Sequence, residues 1–126
     1  TTNGSANGVA LGDPADGQAY ADLLQDLRKA VDQLGAEGGG RAYLVTSAIN
    51  TNRTLVEKIN YKDAARALDL VFMMTYDFYG PWSKVAGHHS ALLSSSTEAD
   101  DSLAGAVRTL TQAGVPLPKL VAGVAM

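Results

Sequence analysis

The chain has 126 residues, 46% of them hydrophobic, which excludes a disordered tail and bounds it at one domain or a piece of one. Thirteen acidic residues against ten Lys and Arg leave a net charge of −3 with no basic stripe, so a nucleic-acid surface has little electrostatic support. No apolar run approaches the roughly 18 residues of a membrane span, and zero cysteines removes a disulfide framework, a thiol nucleophile and any Cys-based zinc site.

Residues 1–12 are rich in Gly, Asn and Ala without periodicity, and read as loop. Asp13-Pro14 then starts a helix, Asp as the cap and Pro at the first helical position. Tyr20, Leu23, Leu24, Leu27, Val31 and Leu34 recur at helical spacing and define one apolar face, with Gly35 as the stop. Gly38-Gly39-Gly40 lacks the G-x-G-x-x-G spacing and leads into a strand, so it is a hinge and not a nucleotide loop.

Tyr43 to Ile49 forms the first strand, with small residues at its carboxyl end. A loop through Asn50 to Arg53 and a short amphipathic piece (Val56, Ile59, Tyr61) precede a helix over residues 62–67. Residues 70–76 are the most continuously apolar run, the pattern of a parallel strand covered on both faces. Asp77 to Asp101 is a long mixed loop, of the kind that usually carries function. Asp100 or Asp101 then caps a helix with Leu103, Ala106, Val107 and Leu110 on one face, Gly114 ends it, and residues 119–125 make the last strand. This α/β alternation calls for a parallel sheet with helices packed outside.

In such folds, ligands bind beyond the carboxyl ends of the strands. Met74-Thr75-Tyr76-Asp77-Phe78-Tyr79-Gly80-Pro81-Trp82 occupies that position and supplies a phenol, a carboxylate and further aromatic rings within nine residues. Aromatic faces pack on the apolar faces of sugars, and Asp and Tyr bind hydroxyl or amide groups.

Met74-x-Tyr76-Asp77, preceded by Leu70-Val71-Phe72-Met73, resembles the sixth-strand motif of glycoside hydrolase family 18, the chitinases. Asp13-Pro14-x-Asp16-Gly17 through Leu27-Arg28, and Tyr43 to Ile49, resemble the family's fourth helix and fifth strand. Gly87-His88-x-Ser90-Ala91-Leu92 resembles the G-H-x-T/S-A-L stretch of the following loop, and residues 119–126 resemble the seventh strand. The likeness is closest to bacterial and baculoviral chitinase A-type enzymes and covers essentially the whole chain.

The resemblance implies a segment of a (β/α)8 TIM barrel, about strands 5 to 7 with the fourth and sixth helices. A barrel needs about 250 residues, so residues 1–126 are expected to be a partial catalytic barrel cut at both ends and stable only with its remainder. The implied activity is hydrolysis of β-1,4 bonds between N-acetylglucosamine units of chitin or chitooligosaccharides. Its retaining mechanism is substrate-assisted: a glutamic acid protonates the leaving oxygen while the sugar's own acetamido oxygen attacks the anomeric carbon. That acid ends a D-G-x-D-x-D-x-E motif absent from this sequence, so by family order it falls just before Thr1. No cofactor is implied, and secretion or a periplasmic location is.

By the same resemblance, Tyr76 hydrogen-bonds the acetamido carbonyl and Asp77 binds the distorted sugar. Met74 and Ala48 line the pocket for the acetamido methyl, and Trp82 stacks on an aglycone-side sugar. Arg53 is read as a solvated residue on the loop after the fifth strand, with a distal sugar as its other role. The adjacent His88-His89 pair has no third ligand and no H-E-x-x-H, so metal binding is rejected and His88 is read as bracing the loop. Asn3-Gly4-Ser5 and Asn52-Arg53-Thr54 fit the glycosylation sequon. Three readings stay open: an active chitinase, a chitinase-like lectin that binds chitooligosaccharide without cleaving it, and a complete small α/β domain of flavodoxin type. Retention of both Tyr76 and Asp77 favours the enzyme.

Overall fold

The computed structural model describes residues 12–94 and 101–126 in full, and the backbone of residues 5–6 and 9–10. Within the segment read as loop, β1 (Ser5–Ala6) pairs antiparallel with β2 (Val9–Ala10). The chain continues through α1 (Asp16–Glu37), β3 (Thr46–Asn50), α2 (Arg53–Val56) and α3 (Tyr61–Ala67). It then forms β4 (Leu70–Met74), α4 (Leu103–Gln112), a 3₁₀ turn over Leu117–Lys119 and β5 (Leu120–Ala122). β3, β4 and β5 make one parallel sheet in that order.

α1 begins two residues later than its sequence signal. Asp13 does not cap it as the last non-helical residue; its carboxylate accepts the Ala15 N–H at 2.8 Å in the turn before the helix. The helix runs past Gly35 to Glu37, and its packed seam is Gly17, Ala21, Leu24, Val31 and Gly35. This seam keeps Leu24 and Val31 of the expected face but adds small residues: Gly17 lies against the Lys58 carbonyl just before α3, and Gly35 against the Arg41 carbonyl of the returning chain. Leu23, Leu27 and Leu34 stay 57%, 44% and 53% exposed.

The sheet has two unlike faces. Ile49, Val71 and Met73 are buried under the helices, in one core with Leu24, Val56, Tyr61, Leu68, Leu110 and Val115. On the opposite face, Ala48 pairs in register with Phe72, and Phe72 with Val121. Phe72 is 40% exposed, so the apolar run of β4 is covered on one face and open on the other. In a closed barrel that open face is the one turned toward the barrel interior.

Charged side chains fasten the amino ends of the strands. Asp69 Oδ2 accepts from the Val45 N–H at 2.7 Å and from Arg28 Nη1 at 2.9 Å, and Arg28 Nη2 also donates to the Tyr43 carbonyl at 2.9 Å. The strand expected from Tyr43 therefore starts only at Thr46, because residues 43–45 bond to Arg28 and Asp69. Lys119 donates to the carbonyls of Ala65 (2.7 Å) and Leu68 (2.6 Å), closing the carboxyl end of α3. α4 is capped by Ser102, whose hydroxyl accepts the Gly105 N–H at 3.0 Å; of the two expected caps, Asp101 precedes this residue and Asp100 lies outside the described residues.

No helix among the described residues is long and apolar enough to cross a membrane.

Candidate active site

β3 ends at Asn50 and β4 at Met74, side by side in register, so their following segments meet at one edge of the sheet. There an open cleft of about 280 Å³ is lined by Asn50, Thr51, Asn52, Met74, Tyr76, Asp77, Phe78, Trp82 and Asp101. Met74 and Tyr76 are two residues apart, as extended backbone requires for side chains on one face. Asp77 joins them by a different device. Its φ of +58° places it in the left-handed region, which breaks the alternation and lets consecutive residues face the same cleft.

Behind the cleft, the end of β5 supports this turn. The Gly123 N–H donates to the Met73 carbonyl at 2.9 Å, and the buried Thr75 hydroxyl donates to the Gly123 carbonyl at 2.6 Å. A Cβ on Gly123 would stand 2.9 Å from Cε1 of Tyr76, so the glycine leaves the space in which the Tyr76 ring sits.

The long loop folds back onto the same turn. The Phe78 N–H donates to the His89 carbonyl (3.0 Å), and the Ser90 hydroxyl donates to the Thr75 carbonyl (2.8 Å). His89 Nε2 lies 2.6 Å from Asp77 Oδ1. The bracing role expected of His88 is seen at its neighbour His89, which faces Asp77. Trp82 lies with its six-membered ring over Gly80, where an added Cβ would come within 2.6 Å of Cζ3, and it remains 67% exposed on the rim.

Four of the five expected site residues, Met74, Tyr76, Asp77 and Trp82, line this one cleft. Ala48 does not; it lies two residues back along β3 from Asn50 on the open sheet face, opposite Phe72. Arg53 points elsewhere: its Nε donates to Glu57 Oε1 at 2.8 Å, and it lines a separate hollow between α2, α3 and α4. Asn52 caps α2, its Oδ1 accepting the Thr54 N–H at 3.0 Å; the other sequon, at Asn3, lies outside the described residues.

Phe78 joins the cleft from within the aromatic stretch but was given no role, and the residues missed from the sequence are Asn50, Thr51, Asn52 and Asp101. The first three could have been found from their place just past the end of a parallel strand; Asp101 could not, because it is brought in by the loop's return. The cleft lining holds two carboxylates, two amides, three aromatic rings and no Lys or Arg. Such a lining repels phosphates and other anions and suits an uncharged polyhydroxy ligand with apolar ring faces. Among the described residues, no three His, Asp or Glu side chains gather as a metal site.

The comparisons agree with this architecture. The family described as Glycosyl hydrolases family 18 matches residues 3–126. Chitinase A of Pseudoalteromonas piscicida is 39% identical over 92% of this chain and 16% of its own length. The solved chitinase ChiA74 from Bacillus thuringiensis superposes with a TM-score of 0.82 at 33% identity, over 96% of this chain and 20% of that one. A class V chitinase mutant from Nicotiana tobaccum, solved in complex with NAG4, superposes with a TM-score of 0.79 at 32% identity, over 90% of this chain and 33% of that one. The chain therefore spans between about a sixth and a third of the length of these relatives, and its three-stranded sheet is a segment of their TIM barrel. A family match over nearly every residue, on a fold that gathers the family's Tyr-Asp motif into a cleft at the strand ends, leads to one conclusion: this chain belongs to glycoside hydrolase family 18.

Proposed function

We propose that the protein carrying this chain hydrolyses β-1,4 bonds between N-acetylglucosamine units in chitin and chitooligosaccharides, with retention and substrate assistance. The observation that carries the reading is the convergence of Tyr76 and Asp77, through the positive φ of Asp77, on one cleft at the carboxyl end of β4.

The Tyr76 hydroxyl donates a hydrogen bond to the acetamido carbonyl of the sugar at the cleavage point. That bond holds the acetamido oxygen against the anomeric carbon and strengthens as the carbonyl becomes part of a charged oxazolinium-like ring. Asp77 accepts from the same distorted sugar. Met74 bounds the acetamido methyl, and Trp82 offers its exposed face to an aglycone-side ring. The general acid, a glutamic acid, comes from another strand of the barrel outside this chain, so this chain supplies the half of the site that orients and stabilises. No proton-transfer step to the leaving oxygen runs through its residues. Because the polymer is too large to enter a cell, the enzyme acts outside the cytoplasm.

The test is Tyr76→Phe in the full-length protein, assayed on a fluorogenic chitobioside. Loss of one hydrogen bond to developing charge lowers kcat by about 100-fold with the fold intact. An unchanged kcat would refute the role of Tyr76, and a wild-type protein without turnover would refute the enzymatic reading.

A further inference from the structure

Asp77 is not held by its own strand. Its backbone sits at φ +58°, where a residue other than glycine is strained, and its carboxylate is 63% exposed. An exposed carboxylate on such a turn rotates freely about its last torsion unless a donor fixes it. The only hydrogen bond seen on the Asp77 carboxylate among the described residues comes from His89, twelve residues onward, at 2.6 Å. A carboxylate only accepts, so Nε2 carries the proton and His89 is the donor. The segment bearing His89 is itself pinned on either side of this contact, by Phe78 N–H to the His89 carbonyl and by Ser90 hydroxyl to the Thr75 carbonyl. The loop is thus tied to the strand end at two points, with one side chain aimed at the carboxylate.

We propose that His89 is the positioning residue for Asp77: it occupies Oδ1, stops the carboxylate from turning, and leaves Oδ2 to accept from the sugar. This rests on the reading of Asp77 as a sugar-binding residue. It assigns to the long loop a specific task, that of fixing which way the Asp77 acceptor points, and any side chain with an N–H donor at the reach of Nε2 can perform it.

The test is a double-mutant cycle in the full-length protein on the chitobioside, with Tm followed by circular dichroism. His89→Leu lowers kcat about tenfold with little change in KM, since a misdirected acceptor is felt most where the sugar is distorted. His89→Gln, whose amide reaches about as far as Nε2, stays within about twofold of wild type. In an Asp77→Ala background, His89→Leu has no further effect, because the residue acts only through Asp77. His89 is half-exposed, so these changes do not hollow the core; if His89→Leu fails to fold, His89→Ser, which is polar and too short to reach, carries the same comparison. Equal losses from His89→Leu in both backgrounds, or none in the wild type, would overturn the inference while leaving the enzymatic reading standing. A wild-type protein that turns over no substrate would remove both.

Discussion

Gly123→Ala tests whether the end of β5 sets the position of Tyr76. Gly123 has no unusual φ, so the added methyl acts only through space. It would fall onto the Met73 carbonyl oxygen and lie 2.9 Å from Tyr76 Cε1. Restoring ordinary contact requires the end of β5 to retreat by roughly 1 Å. The bond from Gly123 N–H to Met73, now 2.9 Å, then passes out of hydrogen-bonding range, and the buried Thr75 hydroxyl loses its acceptor at 2.6 Å. Overpacking costs about 1–3 kcal/mol, and the two disturbed hydrogen bonds add about 1 kcal/mol each. The expected destabilisation is therefore about 3–5 kcal/mol, less whatever the backbone recovers by shifting. Urea unfolding of the full-length protein measures it. The same retreat moves the support of the Tyr76 ring, and on the proposed role of Tyr76 a misplacement of about 1 Å lowers kcat by about 100-fold. A variant with the wild-type unfolding midpoint and wild-type kcat would show that β5 does not position Tyr76.

Two further outcomes are expected. Gly80→Ala displaces the Trp82 ring that lies over it, so KM for oligosaccharides long enough to reach Trp82 rises about tenfold while kcat on chitobioside is retained; steady-state kinetics on a length series would show this, and equal effects at every length would exclude it. Burial, and secondarily the nearby Tyr20, push the Tyr61 phenol well above its ordinary value of 10.0. The folded state thus keeps a proton that the unfolded chain releases: the stabilisation is complete below about pH 10 and declines above it by up to about 1.4 kcal/mol per pH unit. Tyr61→Phe should flatten that alkaline decline in urea midpoints measured from pH 8 upward, and an unchanged decline would show that Tyr61 titrates normally.

Much of the architecture was legible because the relevant signals are local. The apolar run before Tyr76, the Gly and Pro breaks and the helical spacing of Leu103 to Leu110 each depend on a few neighbours, and they gave the order and type of the main elements. Boundaries failed where distant partners compete for the backbone. Tyr43 and Val45 look like strand but bond to Arg28 and Asp69. The α1 seam was half legible: Tyr20, Leu24 and Val31 do face the core, but hydrophobicity also marked the exposed Leu23, Leu27 and Leu34 and passed over Gly17, Ala21 and Gly35, which close approach of the chain selected. In the site, Tyr76 and Asp77 carried a motif, but the partner of Asp77 did not. Of two adjacent histidines, only the fold of the loop decides which one faces the carboxylate. Asp101 likewise reaches the cleft only through the return of a long connection.

The Lys119 ammonium has a consequence for the order of events on the ribosome. It completes the carboxyl end of α3 from 54 and 51 positions farther along the chain. During synthesis those terminal carbonyls emerge long before their partner, and only water can satisfy them in the interval. The carboxyl end of α3 therefore exchanges water for its last protein partner only after β5 has been made, a late step set by long-range closure and not by helix propensity.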